Sequence, residues 1–271
     1  MSVGRGSDKR APSEAQRPRV FVRPEAVSGD RVRFEAEEAR HLGLVRRLRP
    51  GDLVDATDGT GQLYTVRLAA LDGRSAWGSI EARTAPGRES PCAITLAQAI
   101  LKGDRMAWLV QKATELGVTR IVPMETARVV ARPAPGAAPH RRWERIAREA
   151  VKQSGRVVVP IVERPRSFAD AVGEAQAHDL ALVCWEGGGP TLDEAAPPTC
   201  RPARLLLLVG PEGGFTPEEV ARAEGVGARP VSLGPRILRA ESAGLVAVAL
   251  AQYRFGDLGG PAKSLVDAAP P

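Results

Sequence analysis

From residue 93 to residue 256 the apolar positions fall into two alternating kinds of run. Short, nearly continuous apolar stretches, "AITLAQAI", "VTRIVPME", "LALVCWE" and "RLLLLVG", read as buried strands. Between them lie segments with helical spacing: "GDRMAWLVQKATELG", "HRRWERIAREAVKQSG", "SFADAVGEAQAH" and "RAESAGLVAVALAQYRF". In the first helix Met106, Leu109, Val110, Ala113 and Leu116 share the inward face, and Gly117 ends it. The weaker strand signals "VPIV" and "RPVSLG" fill the remaining gaps. Strands alternating with helices predict an α/β fold, a mostly parallel sheet with helices on both faces.

Residues 19–84 follow another rhythm. "RVFV" and "SAWGSIEAR" read as strands, and "DLVDATDGTGQLYTVRL" as two strands around an Asp58-Gly59 turn. Between them, "EAEEARHLGLVRRLRPGD" has helical spacing at Ala39, Leu42, Leu44/Val45 and Leu48, and stops at Pro50-Gly51. Short strands with one helix predict a small barrel. Turn-forming residues make 85–92 a linker; a polar leader over 1–18 and a tail over 257–271 are expected to lack fixed structure.

Composition narrows the class. At 271 residues, 43% hydrophobic and 26% charged, the chain is ordinary for a globular protein. No window reaches the apolar length of a membrane span, and the leader has no apolar core for a signal peptide. Cys92, Cys184 and Cys200 lack CxxC spacing, and His41, His140 and His178 are scattered. The expectation is a cytoplasmic protein without metal or membrane contact. The net charge of +6 is uneven: +3 over 1–90, +7 over 91–165 and −4 over 166–271. A basic central segment fits a polyanionic partner.

The candidate chemistry lies at strand ends. In "LVGPEGGFTPEEV", Thr216, Pro217 and Glu219 form a helix start with a capping box, and Phe215 and Val220 form its hydrophobic staple. Gly210–Gly214 is thus a loop at the carboxyl end of a strand, where open α/β sheets bind ligands. It matches neither the P-loop nor the dinucleotide pattern. The loops "CWEGGGP" and "LGPRILRAES" leave neighbouring strand signals, so all three converge on one pocket if their strands are adjacent. Arg141, Arg145, Arg148 and Lys152 align on one face of a long helix, as a solvated stripe or a phosphate-binding one. Arg156 follows the Gly155 that ends that helix. Arg239 and Glu241 mark a strand-to-helix junction, as a structural pair or an active-site pair. Arg46, Arg47 and Arg49 cluster in the N-terminal unit.

With these residues in place, the chain resembles the RsmE family, SPOUT-class methyltransferases acting on uridine N3 of small-subunit ribosomal RNA. The resemblance spans roughly residues 20–258 and rests on five ordered blocks: "HLGLVRRLRPGD", "KGDRMAWLVQKATELGVTRIVPMETARVV", "EAVKQSGRVVVP", "LLVGPEGGFTPEEV" and "LGPRILRAESAGLVAVAL". It implies a PUA-like RNA-binding β-barrel over 19–84, then a SPOUT α/β methyltransferase domain with a C-terminal trefoil knot over 93–256. It implies S-adenosylmethionine as cofactor, held largely by main chain at Gly210, Glu212, Gly213, Leu233, Gly234, Pro235, Ile237 and Leu238. It also implies 16S ribosomal RNA of the small subunit as partner, and a homodimer with its active site near the subunit interface.

The chain departs from the family pattern at Ala240 and Ser242, where threonine is usual, and at Arg46, where leucine is common. Arg239, then Arg156, are the candidates to stabilise the uracil anion formed as N3 loses its proton, with Glu241 orienting Arg239 or taking the proton. Arg47, Arg141, Arg145, Arg148 and Lys152 are the candidate RNA contacts. The alternatives are a SPOUT methyltransferase acting on guanosine or a ribose 2′-OH, and a catalytically silent docking protein of ribosome assembly.

Overall fold

The computed structural model describes residues 17–87, 89–130, 138–197 and 199–260. The leader up to residue 16, most of the "ARPAPGAAP" loop and the tail from 261 lie outside the described residues. The chain divides into two compact units, with the boundary after Gly87.

The first unit is a curled six-stranded sheet with one short helix. Its elements are β1 (Arg19–Phe21), β2 (Val27–Ser28), β3 (Arg31–Phe34), α1 (Ala36–Arg40), β4 (Leu53–Thr57), β5 (Leu63–Leu71) and β6 (Ala76–Thr84). They are ordered β1-β4-β5-β6-β3-β2, antiparallel except for β1 beside β4. Two register shifts between β5 and β6 bend the sheet around a core of Val20, Val32, Phe34, Val54, Val66 and Leu68. The turn between β4 and β5 is built on Asp58, which accepts from Thr60 N at 2.8 Å and from the Tyr64 hydroxyl at 3.0 Å.

The helix of this unit differs from the periodicity. Ala39 and Leu42 are buried, but Leu44 and Val45 are 69% and 65% exposed. After α1 the chain widens into a π turn, His41–Val45, closed by Arg46 N to His41 O at 3.0 Å. An α-helix would return to the core near Val45; the wider turn delays the return to Leu48, whose N–H reaches Leu42 O at 3.0 Å.

The second unit carries β7 (Ala93–Ala99), α2 (Arg105–Glu115), β8 (Arg120–Glu125), α3 (Pro139–Ser154), β9 (Ile161–Val162), β10 (Arg166–Ser167) and α4 (Phe168–Gly173). It continues with β11 (Leu180–Cys184), α5 (Leu192–Ala195), β12 (Arg204–Val209), α6 (Pro217–Gly225), β13 (Arg229–Val231) and α7 (Ala240–Phe255). Every pairing is parallel, in the order β10-β8-β7-β12-β11-β13, with β9 also on β8. β11 and the inner part of β12 are buried along their length, as strands covered on both faces must be.

One face of the sheet is covered by α2, α3, α5 and α7, through Leu109, Ala147, Ala195 and Val248. The other is covered by α4 and α6, through Phe168, Val172, Val220 and Ala223. The capping box of α6 forms as its sequence predicts, with Thr216 Oγ1 accepting from Glu219 N at 3.2 Å. The four-residue helix α5 was not evident from periodicity, although Thr191 and Glu194 give it a capping box too.

The short strands β9 and β10 are tied to β8 by charge. Arg120 donates to Glu163 at 2.7 Å and to Glu174 at 2.9 Å, and Arg166 also pairs with both acids. The Arg120 hydrogen bond, helped by Arg166, holds the Glu174 carboxyl below its ordinary value of 4.5. A depressed folded-state pKa means stability that is complete above about 4.5 and is lost as pH falls through the folded value. Glu174→Gln is therefore expected to lower Tm at pH 7, with the gap to the parent closing between pH 5 and pH 3 in thermal melts. A pH-independent gap would assign the loss to packing instead.

Candidate active site

β12 ends at Val209, and the next five residues fold back on themselves. Gly214 N donates to Pro211 O at 2.9 Å, with Gly214 at φ +68. A Cβ at Gly210 would lie 3.2 Å from Gly214 C and Phe215 N, and one at Gly214 would collide with the Glu186 carboxylate. The glycines thus answer to the loop's own compactness as well as to any ligand. Buried Gln98 donates to Gly210 O at 3.1 Å, and Arg128 to Gly213 O at 2.8 Å. These bonds fix both ends of the turn.

The loops after β11 and β13 interlock beside it. Trp185 N donates to Val231 O at 3.1 Å and Ser232 N to Pro190 O at 2.9 Å, so the 185–190 loop wraps β13. Arg229 of β13 donates to Ala195 O at 2.6 Å. From Ser232 the chain turns through Gly234, whose N–H is held by Ser232 Oγ at 3.2 Å, and reaches α7 at Arg239.

All three loops line one cavity of about 520 Å³, within the range of small-ligand sites. Gly210, Glu212, Gly213, Leu233, Gly234, Pro235, Ile237 and Leu238 are all in its wall, as is Arg239 at the N-cap of α7. The cavity sits where the connection after β11 leads to one face of the sheet and that after β12 to the other. Cys184 is also in the wall. Burial pushes its thiol up to about 12, so it is an uncharged apolar surface at neutral pH and no thiolate nucleophile.

Charge gathers on one side. Arg105, the first residue of α2, pairs with Glu212 at 3.3 Å and with Glu241 at 3.8 Å, and Lys102 N donates to Glu212 at 3.2 Å. The Glu212 carboxylate is therefore turned toward the β7–α2 loop. Glu241 is not in the cavity wall, and its Oε2 is buried without a hydrogen-bond partner among the described residues. Arg239 is exposed, with no ion-pair partner among the described residues. Sequence reasoning missed Arg105; its position opening an apolar helix directly after "KGD" gave no signal of the two acids it meets.

Arg156 lies elsewhere. It is 5% exposed, pairs with Glu89 at 2.6 Å and donates to Thr114 O at 2.8 Å and Val118 O at 2.9 Å. It joins α2, the turn after it and the segment before β7, and is not brought to the cavity. Arg141, Arg145 and Arg148 are exposed along α3, but the Lys152 side chain is 11% exposed and paired with Glu149 at 2.7 Å. Arg47 is exposed in the first unit, in the left-handed region at φ 55.

Comparison with known proteins decides the family. The RNA methyltransferase domain family matches residues 88–252, and the RNA methyltransferase PUA domain family residues 34–81. The Synechocystis ribosomal RNA small subunit methyltransferase E is 35% identical over 233 residues, 85% of this chain and 76% of that protein. The chain belongs to the ribosomal RNA small subunit methyltransferase E family. The Bacillus subtilis member is 32% identical over 225 residues, 80% of this chain and 88% of its own. The structure of the Neisseria gonorrhoeae member, bound to S-adenosyl methionine, superimposes with a TM-score of 0.81 at 35% identity, covering 89% of this chain and 99% of that one. The family bears out the fold class expected from the resemblance, a PUA-like unit followed by a SPOUT methyltransferase domain.

The glycine turn gives a direct test. Gly214→Ala is expected to cost about 1–3 kcal/mol, from the left-handed backbone and the clash with Glu186. Glu186→Ala in the same chain should recover part of it in denaturant melts. Strictly additive losses would contradict the contact.

Proposed function

We propose that the chain transfers a methyl group from S-adenosylmethionine to N3 of a uridine in 16S ribosomal RNA of the small subunit. The observation that carries this reading is the convergence of three strand-end loops on one cavity whose wall includes Arg239, an arginine without an ion-pair partner among the described residues.

The wall fits the cofactor. Gly210–Gly214 and Ser232–Leu238 bring peptide groups to the wall, Leu233 and Leu238 supply apolar surface, and Glu186 supplies negative charge toward a cation. Bound there, S-adenosylmethionine supplies an electrophilic methyl group on a sulfonium. Arg239 would donate to a uracil carbonyl and stabilise the anion left as the N3 proton passes to solvent; the N3 lone pair then bonds the methyl carbon as its bond to sulfur breaks, leaving the neutral thioether. Arg105 pairs with Glu212 and Glu241 from the start of α2, which ties the loop between β12 and α6 to the start of α7. Glu241, outside the cavity wall, is given a positioning role through its pairing with Arg105. Arg156 is given a structural one, since carbonyls and Glu89 occupy its guanidinium.

Arg141, Arg145 and Arg148 on α3 and Arg47 in the PUA-like unit are assigned to phosphate contacts. No helix among the described residues is long and apolar enough to cross a membrane, and no group of side chains among them is placed to hold a metal. An RNA substrate of this kind places the chain in the cytoplasm.

The working form is a homodimer. α7 is apolar nearly all round, and its outer face keeps Leu250 and Tyr253 exposed, the latter at 71%. Ile237, at the cavity mouth, is 90% exposed. A second copy on this face covers both. Arg239→Ala is expected to lower kcat about 100-fold or more while the cofactor Kd changes less than about threefold; undiminished turnover would sink the assignment. Leu250→Asp with Tyr253→Asp should turn a dimer into a monomer by light scattering, and a monomeric parent would refute the interface.

A further inference from the structure

The geometry of the π turn points to a function for the exposed end of the PUA-like unit. We propose that Leu44 and Val45, in a stretch that also carries Arg40, Arg46, Arg47 and Arg49, form a wedge that enters between stacked bases of the RNA substrate. The inference rests on the reading of the chain as an RNA methyltransferase and adds a contact to it.

Three observations carry it. The first is the placement of the aliphatic pair. Leu44 and Val45 are adjacent, 69% and 65% exposed, and held outward by hydrogen bonds on either side: Arg46 N to His41 O and Leu48 N to Leu42 O, each at 3.0 Å. Ala39 and Leu42 below them are fully buried, so the turn stands on a fixed base. Two adjacent aliphatic side chains held outward by a backbone with its own hydrogen bonds are not a by-product of fraying.

The second is charge. Residues 40–49 contain four arginines and no carboxylate. None of the four has an ion-pair partner among the described residues, although Glu37 and Glu38 precede Arg40 in α1; Asp52 accepts from the backbone N–H of Arg49 at 2.8 Å. Four guanidiniums without ion-pair partners, in the same stretch as an apolar pair, complement a phosphate backbone. The third is Arg47, at φ 55, where glycine is the usual residue. That backbone keeps an arginine at the position that aims the chain back toward Leu48. Apolar wedges flanked by basic side chains are a known physical route to unstacking a nucleic acid, and a base to be methylated at N3 must leave its pair.

The test separates the two halves of the wedge by salt. Affinity of the full chain for unmodified small-subunit ribosomal RNA is measured by filter binding across salt concentrations, for the parent, for Leu44→Ser with Val45→Ser, and for Arg47→Gln. The serine pair is expected to weaken binding about tenfold with an unchanged salt slope, because it removes apolar contact alone. Arg47→Gln should lower the slope by about 0.7 to 0.9. Cofactor affinity and Tm, measured alongside, are expected to stay at parental values and so show that the variants fold. A serine pair that binds RNA like the parent overturns the wedge. So does a serine pair that changes oligomeric state in light scattering, which would make the tip a contact between copies. If the parent itself methylates no ribosomal RNA, the proposed function falls; if it does and these variants match it, only the wedge falls.

Discussion

The structure of the second unit depends on one return crossing. β13 lies at the edge of the sheet beside β11, yet the helix after it packs on β7, β12 and α2 near the middle. Residues 232–239 must therefore recross the ends of β11 and β12, where the loops of those strands already stand. The backbone bonds from Trp185 to Val231 and from Ser232 to Pro190 show how closely the segments pass. Crowding of this kind compels glycine where one loop presses on another, as Glu186 does on Gly214. The trefoil knot implied by the resemblance belongs to the same crossing.

Four arginines of the second unit differ in what occupies their guanidinium groups. Arg156 and Arg120 are consumed by carbonyls and carboxylates and stabilise elements. Arg105 is intermediate, exposed enough to line the cavity but held by two acids from different elements. Arg239 alone among these four keeps its guanidinium unpaired and at the rim. An arginine that must meet a transient anion in the substrate cannot be neutralised beforehand, so the lack of a partner is itself part of the functional argument.

Much of this was legible in the sequence, for identifiable reasons. Buried parallel strands and amphipathic helices impose strong periodicities, so "RLLLLVG" and "GDRMAWLVQKATELG" fell where they were read. The capping box at Thr216 is a local code and formed as written. The convergence of the three loops followed once β11, β12 and β13 proved adjacent. What could not be read was non-local. Nothing near Arg156 announces Glu89, nor anything near Arg105 the pair Glu212 and Glu241, because those partners lie 67 residues or more away along the chain. Leu44 and Val45 misled because a π turn leaves the same apolar letters as an α-helix while shifting the face they occupy.

The measurement that tests the central claim most directly is nucleoside mass spectrometry of unmodified small ribosomal subunits after incubation with the chain and labelled S-adenosylmethionine. The account predicts 3-methyluridine at a single site in 16S ribosomal RNA. A different methylated nucleoside would contradict the assigned specificity, and bound cofactor without any transfer to the subunit would contradict the assigned substrate.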